Sequence, residues 1–368
     1  MYIHQRRGWP DFTWDMEILA PPLSKVRHKQ GHLIGRAEGI GFSLRTEAIL
    51  QNLTLDVLKS NEIEGDFLDK EQVRSSIARR LGIDIGGLAS VDRQVEGVVE
   101  MILDATQNYH EELTSKRLFD WHAALFPTGR SGMHQITVAD WRDNKAGPMQ
   151  VISGPMGRER IHFEAPEANK LAHEMKHFIN WFNTKNDIDP VLKAGIAHLW
   201  FVTIHPFDDG NGRIARTIAD MQLARADGTS QRFYSMSVQI RKERNKYYEI
   251  LESTQRGDLD ITNWLEWFLA CLDRAIEASE ELLTGIFRKS RYWEFFSGKD
   301  INQRQRLMIN RLLDGFEGKL TTSKWAKITK SSQDTALRDI QGLIDQGILE
   351  KEAPGGRSTG YVLKDIVR

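Results

Sequence analysis

Apolar residues recur at three- and four-residue intervals along most of this chain, the spacing that gathers one face of a helix. From about residue 23 to residue 80 the pattern is continuous, with Leu50, Leu53, Val57 and Leu58 on one stripe, and it predicts helix. The stretch GIDIGGLAS interrupts it, and helical periodicity resumes over roughly residues 90 to 126. Ahead of the first stripe, Trp9, Pro10, Phe12, Trp14, Pro21 and Pro22 crowd a segment that predicts a packed extended arm, because prolines punctuate helices. Between residues 146 and 166 two short runs, MQVIS and RIHFE, flank GPMG, which predicts a hairpin. Helix returns in NKLAHEMKHFINWFN, in PVLKAGIAHLWFVTI with Pro190 suited to its first turn, after Gly212, and over 230 to 292.

From about residue 300 the organisation reads as independent. RQRLMINRLLDGF, TTSKWAKITK and SQDTALRDIQGLIDQG predict three helices, and ILEKEAPGGRSTGYVL two strands joined by a glycine-rich wing, the order of a winged helix. Its recognition-helix candidate sets Asp334, Asp339 and Asp345 against Arg338, so the face expected in a major groove is not basic. Lys324, Lys327, Lys330 and Arg357 are the candidates for phosphate contact. DNA therefore stands as a partner on element order alone, against the plainer reading of a protein-contact or packing module.

Composition narrows the picture only a little. The 368 residues carry 50 Lys and Arg against 51 Asp and Glu, a net charge of -1, so polyanion binding must come from a local patch. Cys271 is the lone cysteine, which excludes an intrachain disulfide and a thiolate zinc site and fits a reducing compartment. The first residues lack a signal-peptide apolar core, and no segment approaches the roughly 20 apolar residues of a membrane span. The expectation is a soluble, cytoplasmic protein without a membrane partner.

Chemistry concentrates in HPFDDGNGRIAR, His205 to Arg216. Asp-Gly and Asn-Gly are turn dipeptides, but neither flank alternates like a strand, so the segment reads as helix, loop, helix. Pro206 ends the first helix, and Gly210 to Gly212 open the second. A helix start gathers unpaired N–H groups and the positive end of the dipole, which makes Gly210, Asn211 and Gly212 an anion-site candidate. Arg213 and Arg216, three apart, share a face that can clamp successive phosphates. Asp209 offers a carboxylate for magnesium, and His205 is the group able to accept a proton near neutral pH.

Two further stretches carry recognisable spacing. In SNEIEG, Ser60 and Glu64 lie four apart on one helical face, and Gly65 is a helix stop. A glutamate there faces the negative end of the dipole, at a cost of a few tenths to about 1 kcal/mol unless a cation compensates. HEMKH, His173 to His177, fits the zinc-protease spacing H-E-x-x-H. Lys176 puts a cation inside it, no third ligand follows, and Leu171, Met175, Phe178 and Phe182 make the helix an amphipathic one with both histidines at its margin.

HPFDDGNGR resembles the signature of the Fic family, His-Pro-Phe-x-(Asp/Glu)-Gly-Asn-(Gly/Lys)-Arg, at every position, and the resemblance extends over roughly residues 115 to 270. It implies a mainly α fold, a Fic-type helical bundle with a β-hairpin flap, to which the C-terminal reading adds a winged-helix-like domain. The expected domains are an N-terminal helical region over 1–110, a catalytic domain over 111–292 and the winged-helix-like domain over 300–368. The implied activity is magnesium-dependent transfer of AMP from ATP to a protein hydroxyl, with His205 as base, Asp209 as metal ligand, Asn211 and the loop amides as phosphate holders and Arg213 as clamp. Gly212 stands where the phosphate-transferring Doc branch has lysine, which favours nucleotidyl transfer. SNEIEG resembles the family's inhibitory pattern (Ser/Thr)-x-x-x-Glu-(Gly/Asn), upstream of the catalytic loop, which implies that Glu64 pairs with Arg216 and occupies the γ-phosphate position. By the same resemblance Val151, Ile152, Ser153 and Gly154 lie near the nucleotide, residues 148–164 dock the target protein by strand addition, and Tyr247, Tyr248 and Gln255 border adenosine. Self-modification is an implied partner reaction, and a homodimer is left open. Two other readings stand beside transfer: hydrolytic removal of AMP at the same site, with Glu64 orienting water, and a DNA-binding regulator acting through the C-terminal module.

Overall fold

The computed structural model describes every residue except 40, 41, 86, 146, 155, 156, 159, 314, 317, 353–358 and 366–368. The chain divides into two compact units, Met1–Ser279 and Glu280–Arg368. The first is built from α1 (Met16–Glu38), α2 (Phe42–Glu64), α3 (Lys70–Leu81), α4 (Arg93–Gln107), α5 (Ser115–Leu125), α6 (Leu171–Asn183), α7 (Pro190–Ile204), α8 (Asn211–Asp227), α9 (Met236–Lys242), α10 (Arg244–Gln255) and α11 (Thr262–Phe295), whose residues past 279 belong to the second unit. Two small antiparallel hairpins join them, β1 (Arg130–Ser131) with β2 (His134–Gln135) and β3 (Gln150–Ser153) with β4 (Arg160–Glu164).

At the centre lies α7, buried from Val191 through Ile204, and it packs along α8, itself buried from Asn211 to Ala224 apart from Gly212. An all-round apolar sequence such as AGIAHLWFVTI suits a helix surrounded by others. Helix α2 lies against α8 and α9, and α4 against α5 and α8. The helical core thus holds the α7–α8 loop from several sides.

The arm departs from expectation at its end. Residues 2 to 13 pack as a largely irregular arm with one short 3-10 turn, Tyr2 and His4 edge-on to Phe163, Phe12 against Trp200, and Thr13 bonded to Leu259 and Ile261. Pro21 and Pro22, however, sit inside α1, which begins at Met16 behind the Asp15 cap. The prolines forfeit two backbone bonds in the second turn, and the buried stripe Leu19, Leu23, Val26 and Leu33 outweighs that loss. Among the described residues no helix is long and apolar enough to cross a membrane.

The second unit holds α12 (Gln303–Leu313), α13 (Thr322–Thr329), α14 (Gln333–Asp345) and an antiparallel pair, β5 (Leu349–Lys351) with β6 (Tyr361–Leu363). Met308, Ile309, Trp325, Ile340, Leu343, Leu349 and Tyr361 form its core. The three helices and two strands appear where the sequence puts them; the glycine-rich connection, with Arg357, lies outside the described residues. Asp339 corrects the reading of α14 as an outward acidic face. It is buried against α12, held by Arg304 at 2.7 Å and Asn302 at 2.9 Å, whereas Asp334, Asp345 and Arg338 are exposed. Lys324, Lys327 and Lys330 are exposed too.

Candidate active site

Helix α7 stops at Ile204 because Pro206 cannot continue it, and His205 caps it in the left-handed region at φ 52°. The chain then crosses to Gly210, at φ 81°, and enters α8. Side chains fix this loop from within. Asn211 accepts from Phe207 N–H at 3.0 Å and donates to Phe207 C=O at 2.8 Å, while the Phe207 ring stacks on His122 at 4.1 Å. From outside, Arg142 donates through Nε to the His205 carbonyl at 2.7 Å and through its backbone N–H to Pro206 at 2.9 Å. Asp208 accepts from Thr137 N–H at 2.8 Å.

The His205 ring is half-buried, and its Nδ1 lies 3.1 Å from the Val202 carbonyl. A carbonyl only accepts, so Nδ1 carries the proton and Nε2 keeps its lone pair. Desolvation, reinforced by the Arg142 guanidinium, pushes this imidazole down to about 4, although Val202, Asp209 and Glu64 act the other way. At neutral pH it is therefore an uncharged base.

The first N–H groups of α8 have no intrahelical partner, and two glycines leave their approach open. A Cβ at Gly210 would strike the Phe126 ring, and one at Gly212 would collide with the carboxylate of Glu64. That carboxylate ends α2, where Gly65 turns the chain at φ 95°. Glu64 Oε1 lies 2.8 Å from Arg216, and Oε2 accepts from Tyr248 O–H at 3.3 Å. Arg216 is almost fully buried; its Nε donates to Ser60 Oγ at 3.1 Å and a terminal nitrogen to the Ser60 carbonyl at 2.8 Å. Arg213 stacks on Phe126 and reaches Asp66 at 3.0 Å and Asn61 at 3.5 Å. Each arginine keeps one nitrogen without a partner, Nε of Arg213 and a terminal nitrogen of Arg216.

Asp209 accepts from Gly210 N–H at 2.6 Å and from the Ser131 hydroxyl. Among the described residues there is no group of three or more His, Cys, Asp or Glu that could hold a metal. One carboxylate beside an anion site still fits magnesium, which is held through one or two carboxylates plus substrate phosphates.

The hairpin pairs Gln150 with Glu164 and Ile152 with Ile161, with a register shift between Val151 and Ile152. It is tied to α10: Arg256 donates to the Ile161 and His162 carbonyls at 2.7 and 3.0 Å, and Glu252 holds Arg160 and His162. Ile152, Ser153 and Gly154 are exposed, and Ser153 Oγ bonds His162 at 2.6 Å. In HEMKH, Glu174 accepts from Trp9 Nε1 at 3.0 Å and His177 meets Trp200 edge-on.

Three of the sequence-predicted residues are buried in contacts of their own. Asn211 is 2% exposed, and its side-chain amide bonds both backbone groups of Phe207, so it braces the loop. Gln255 is 4% exposed and donates to Thr203 Oγ1 at 3.3 Å, which ties α10 to α7. Tyr247 is likewise buried, bonded to His198 at 3.0 Å, and leaves Tyr248 as the half-buried member. Sequence reasoning missed Asp66, Ser131 and Arg142; the second acid beside Gly65 was a visible signal for the first, and nothing local pointed to the others.

Residues 112–223 match the family model described as Fic/DOC family, and residues 2–83 one described as a domain of unknown function, DUF4172. The chain is 26% identical over 237 residues to a protein adenylyltransferase Fic of Aedes aegypti, covering 63% of this chain and 42% of that one. Against the protein of that name in Drosophila yakuba it is 25% identical over 219 residues, 58% and 39% of the two chains. The chain thus spans about two fifths of the length of these curated relatives. In fold it resembles a Fic family protein from Desulfovibrio desulfuricans, with TM-score 0.52, 19% identity and 95% and 97% of the two chains covered. A Fic domain containing signaling protein from Bacteroides thetaiotaomicron gives TM-score 0.53 at 21% identity, over 72% and 97%.

Proposed function

We propose that this chain, which belongs to the Fic/DOC family, is a protein adenylyltransferase that transfers AMP from ATP to a target hydroxyl and is held inactive by Glu64. The observation that carries the reading is the Glu64 carboxylate lying over the anion-binding start of α8 and on Arg216, beside a neutral imidazole. A negative group on that helix start takes the place a phosphate would take.

Released from Glu64, Arg216 would join Arg213 and the α8 amides in holding the triphosphate in line, which is where most of the rate must come from. Asp209 would hold magnesium, whose bound charge offsets that of the phosphates. His205 Nε2 takes the proton as the hydroxyl oxygen bonds to the α-phosphorus and the bond to the departing pyrophosphate breaks. The Val202 carbonyl keeps the ring in the tautomer this needs. Strand addition along the 148–164 hairpin would bring the hydroxyl in, since Arg256 already occupies two β4 carbonyls and leaves β3 the open edge.

The test is incubation of wild type, Glu64→Gly and Glu64→Gly/His205→Ala with MgATP, followed by mass spectrometry of self-modification and of candidate targets. An AMP adduct with Glu64→Gly and none with the double variant is the expected result; none with either sinks the reading.

Hydrolytic removal of AMP is the second reading, favoured by the Tyr248 hydroxyl, which holds the Glu64 oxygen that Arg216 does not and so fixes the carboxylate's orientation. Release of AMP from a modified protein by wild type without ATP, lost in Glu64→Gly, would select it. We read the C-terminal unit as a winged-helix-like module suited to protein contact, since the outward face of α14 pairs Asp334 and Asp345 with the single Arg338.

A further inference from the structure

The cap that ends α2 aims two carboxylates at once. Gly65, in the left-handed region, reverses the chain so that Asp66 N–H closes on the Asn61 carbonyl at 3.1 Å. Glu64 is left pointing along the helix axis to Arg216, and Asp66 is swung back to Arg213. The two arginines whose spacing suits a phosphate clamp are thereby each faced by a separate acid, two residues apart in the chain.

We infer that Asp66 is a second inhibitory residue, which neutralises Arg213 as Glu64 neutralises Arg216, so that full activity requires both carboxylates to leave. This rests on the reading of the site as a nucleotide site. Arg213 is 4% exposed in its side chain and its charged partner is Asp66 at 3.0 Å. Asn61, fixed by donation to the Val57 carbonyl at 2.9 Å, offers the same guanidinium its amide oxygen at 3.5 Å. An arginine so occupied has fewer free donors for a polyphosphate, and the carboxylate beside it repels one.

Asp66 is also the outer of the two acids. Its side chain is 46% exposed against 29% for Glu64, and it lines a cavity of about 310 Å³ shared with Arg213, Arg130, Ser131 and Thr128. An anion entering that cavity meets Asp66 beside Arg213 and Arg130. Its departure would open Arg213 while Glu64 still holds Arg216, which makes release a two-step process.

The test is calorimetric binding of MgATP, with adenosine as phosphate-free control, to wild type, Asp66→Ala, Glu64→Gly and Glu64→Gly/Asp66→Ala, with Asp66→Asn as a second neutral variant. Asp66→Ala is expected to tighten MgATP about tenfold in the Glu64→Gly background and to leave adenosine within about twofold. Asp66→Glu should return the affinity towards that of the parent, whereas a merely structural role would move the melting temperature and leave affinity alone. MgATP affinity unchanged by both neutral variants in both backgrounds overturns the inference. Tightened MgATP without any AMP adduct would instead retire the transferase reading and leave Asp66 as a lock on an anion site.

Discussion

The carboxylate of Glu64 occupies the space that a Cβ on residue 212 would need. Gly212 is thus the residue that lets an anion, from the protein or from a substrate, rest on the start of α8. If acid and phosphate share that place, Glu64→Gly/Gly212→Ala should bind MgATP about tenfold more weakly than Glu64→Gly alone by calorimetry. Equal affinities would mean that the phosphates lie elsewhere.

Removing Glu64 should cost stability while it frees the site. Arg216 is nearly fully buried and already carries one unpartnered nitrogen, so loss of the acid strands a buried charge. Because Glu64 is itself 29% exposed, the cost is set at about 1–2 kcal/mol, below that of a fully buried pair. Thermal unfolding of Glu64→Gly should therefore begin lower than wild type without nucleotide, and saturating MgATP should raise it by more than it raises wild type. A variant equally stable with and without MgATP would contradict this.

What could be read from sequence divides along contact range. Pro206, Gly210 and Gly65 act on their own backbone, so the helix ends at Ile204, Asn211 and Glu64 were legible. The Glu64–Arg216 pair was implied by the resemblance of SNEIEG to the family's inhibitory pattern, not by spacing alone. The contacts of Asn211 and Gln255 were not legible, because their partners Phe207 and Thr203 absorb polar atoms that the sequence leaves looking available, and Gln255 meets Thr203 across 52 residues. Pro21 and Pro22 misled in the opposite sense: local propensity argued against helix, and a buried stripe from Leu19 to Leu33 prevailed. The capture of Arg213 by Asp66, 147 residues away, is a tertiary fact that no local spacing encodes.

The acid limb of activity should lie unusually low. An imidazole with its ordinary pKa of about 6.5 is roughly one tenth neutral at pH 5.5, and a base so tuned would lose about tenfold between pH 7.5 and 5.5. Burial sets His205 near 4, and Glu64, which raises it, is absent in the released variant. Adduct formation by Glu64→Gly, followed at saturating MgATP, should therefore change by less than about twofold from pH 7.5 to 5.5. A midpoint between 6 and 7 would show that His205 titrates normally or is not the base.

Folding stability should weaken in acid before the carboxylates titrate. Burial lowers His4, His122 and His205 to about 4 and His198 to about 3. With a depressed folded pKa, the unfolded chain binds protons that the folded one refuses, so stability is complete above the unfolded value and is lost as pH falls towards the folded one. That window runs from about 6.5 down to 4 for His4, His122 and His205 and on to about 3 for His198. Salt-bridged acids such as Asp104 and Glu243, whose pKa values are lowered, add their loss only beneath the ordinary carboxylate range. Urea midpoints should accordingly fall steadily between pH 6.5 and 4.5, with several protons taken up on unfolding at pH 5. A midpoint unchanged across that interval would require these histidines to titrate in the folded state as they do in the unfolded chain.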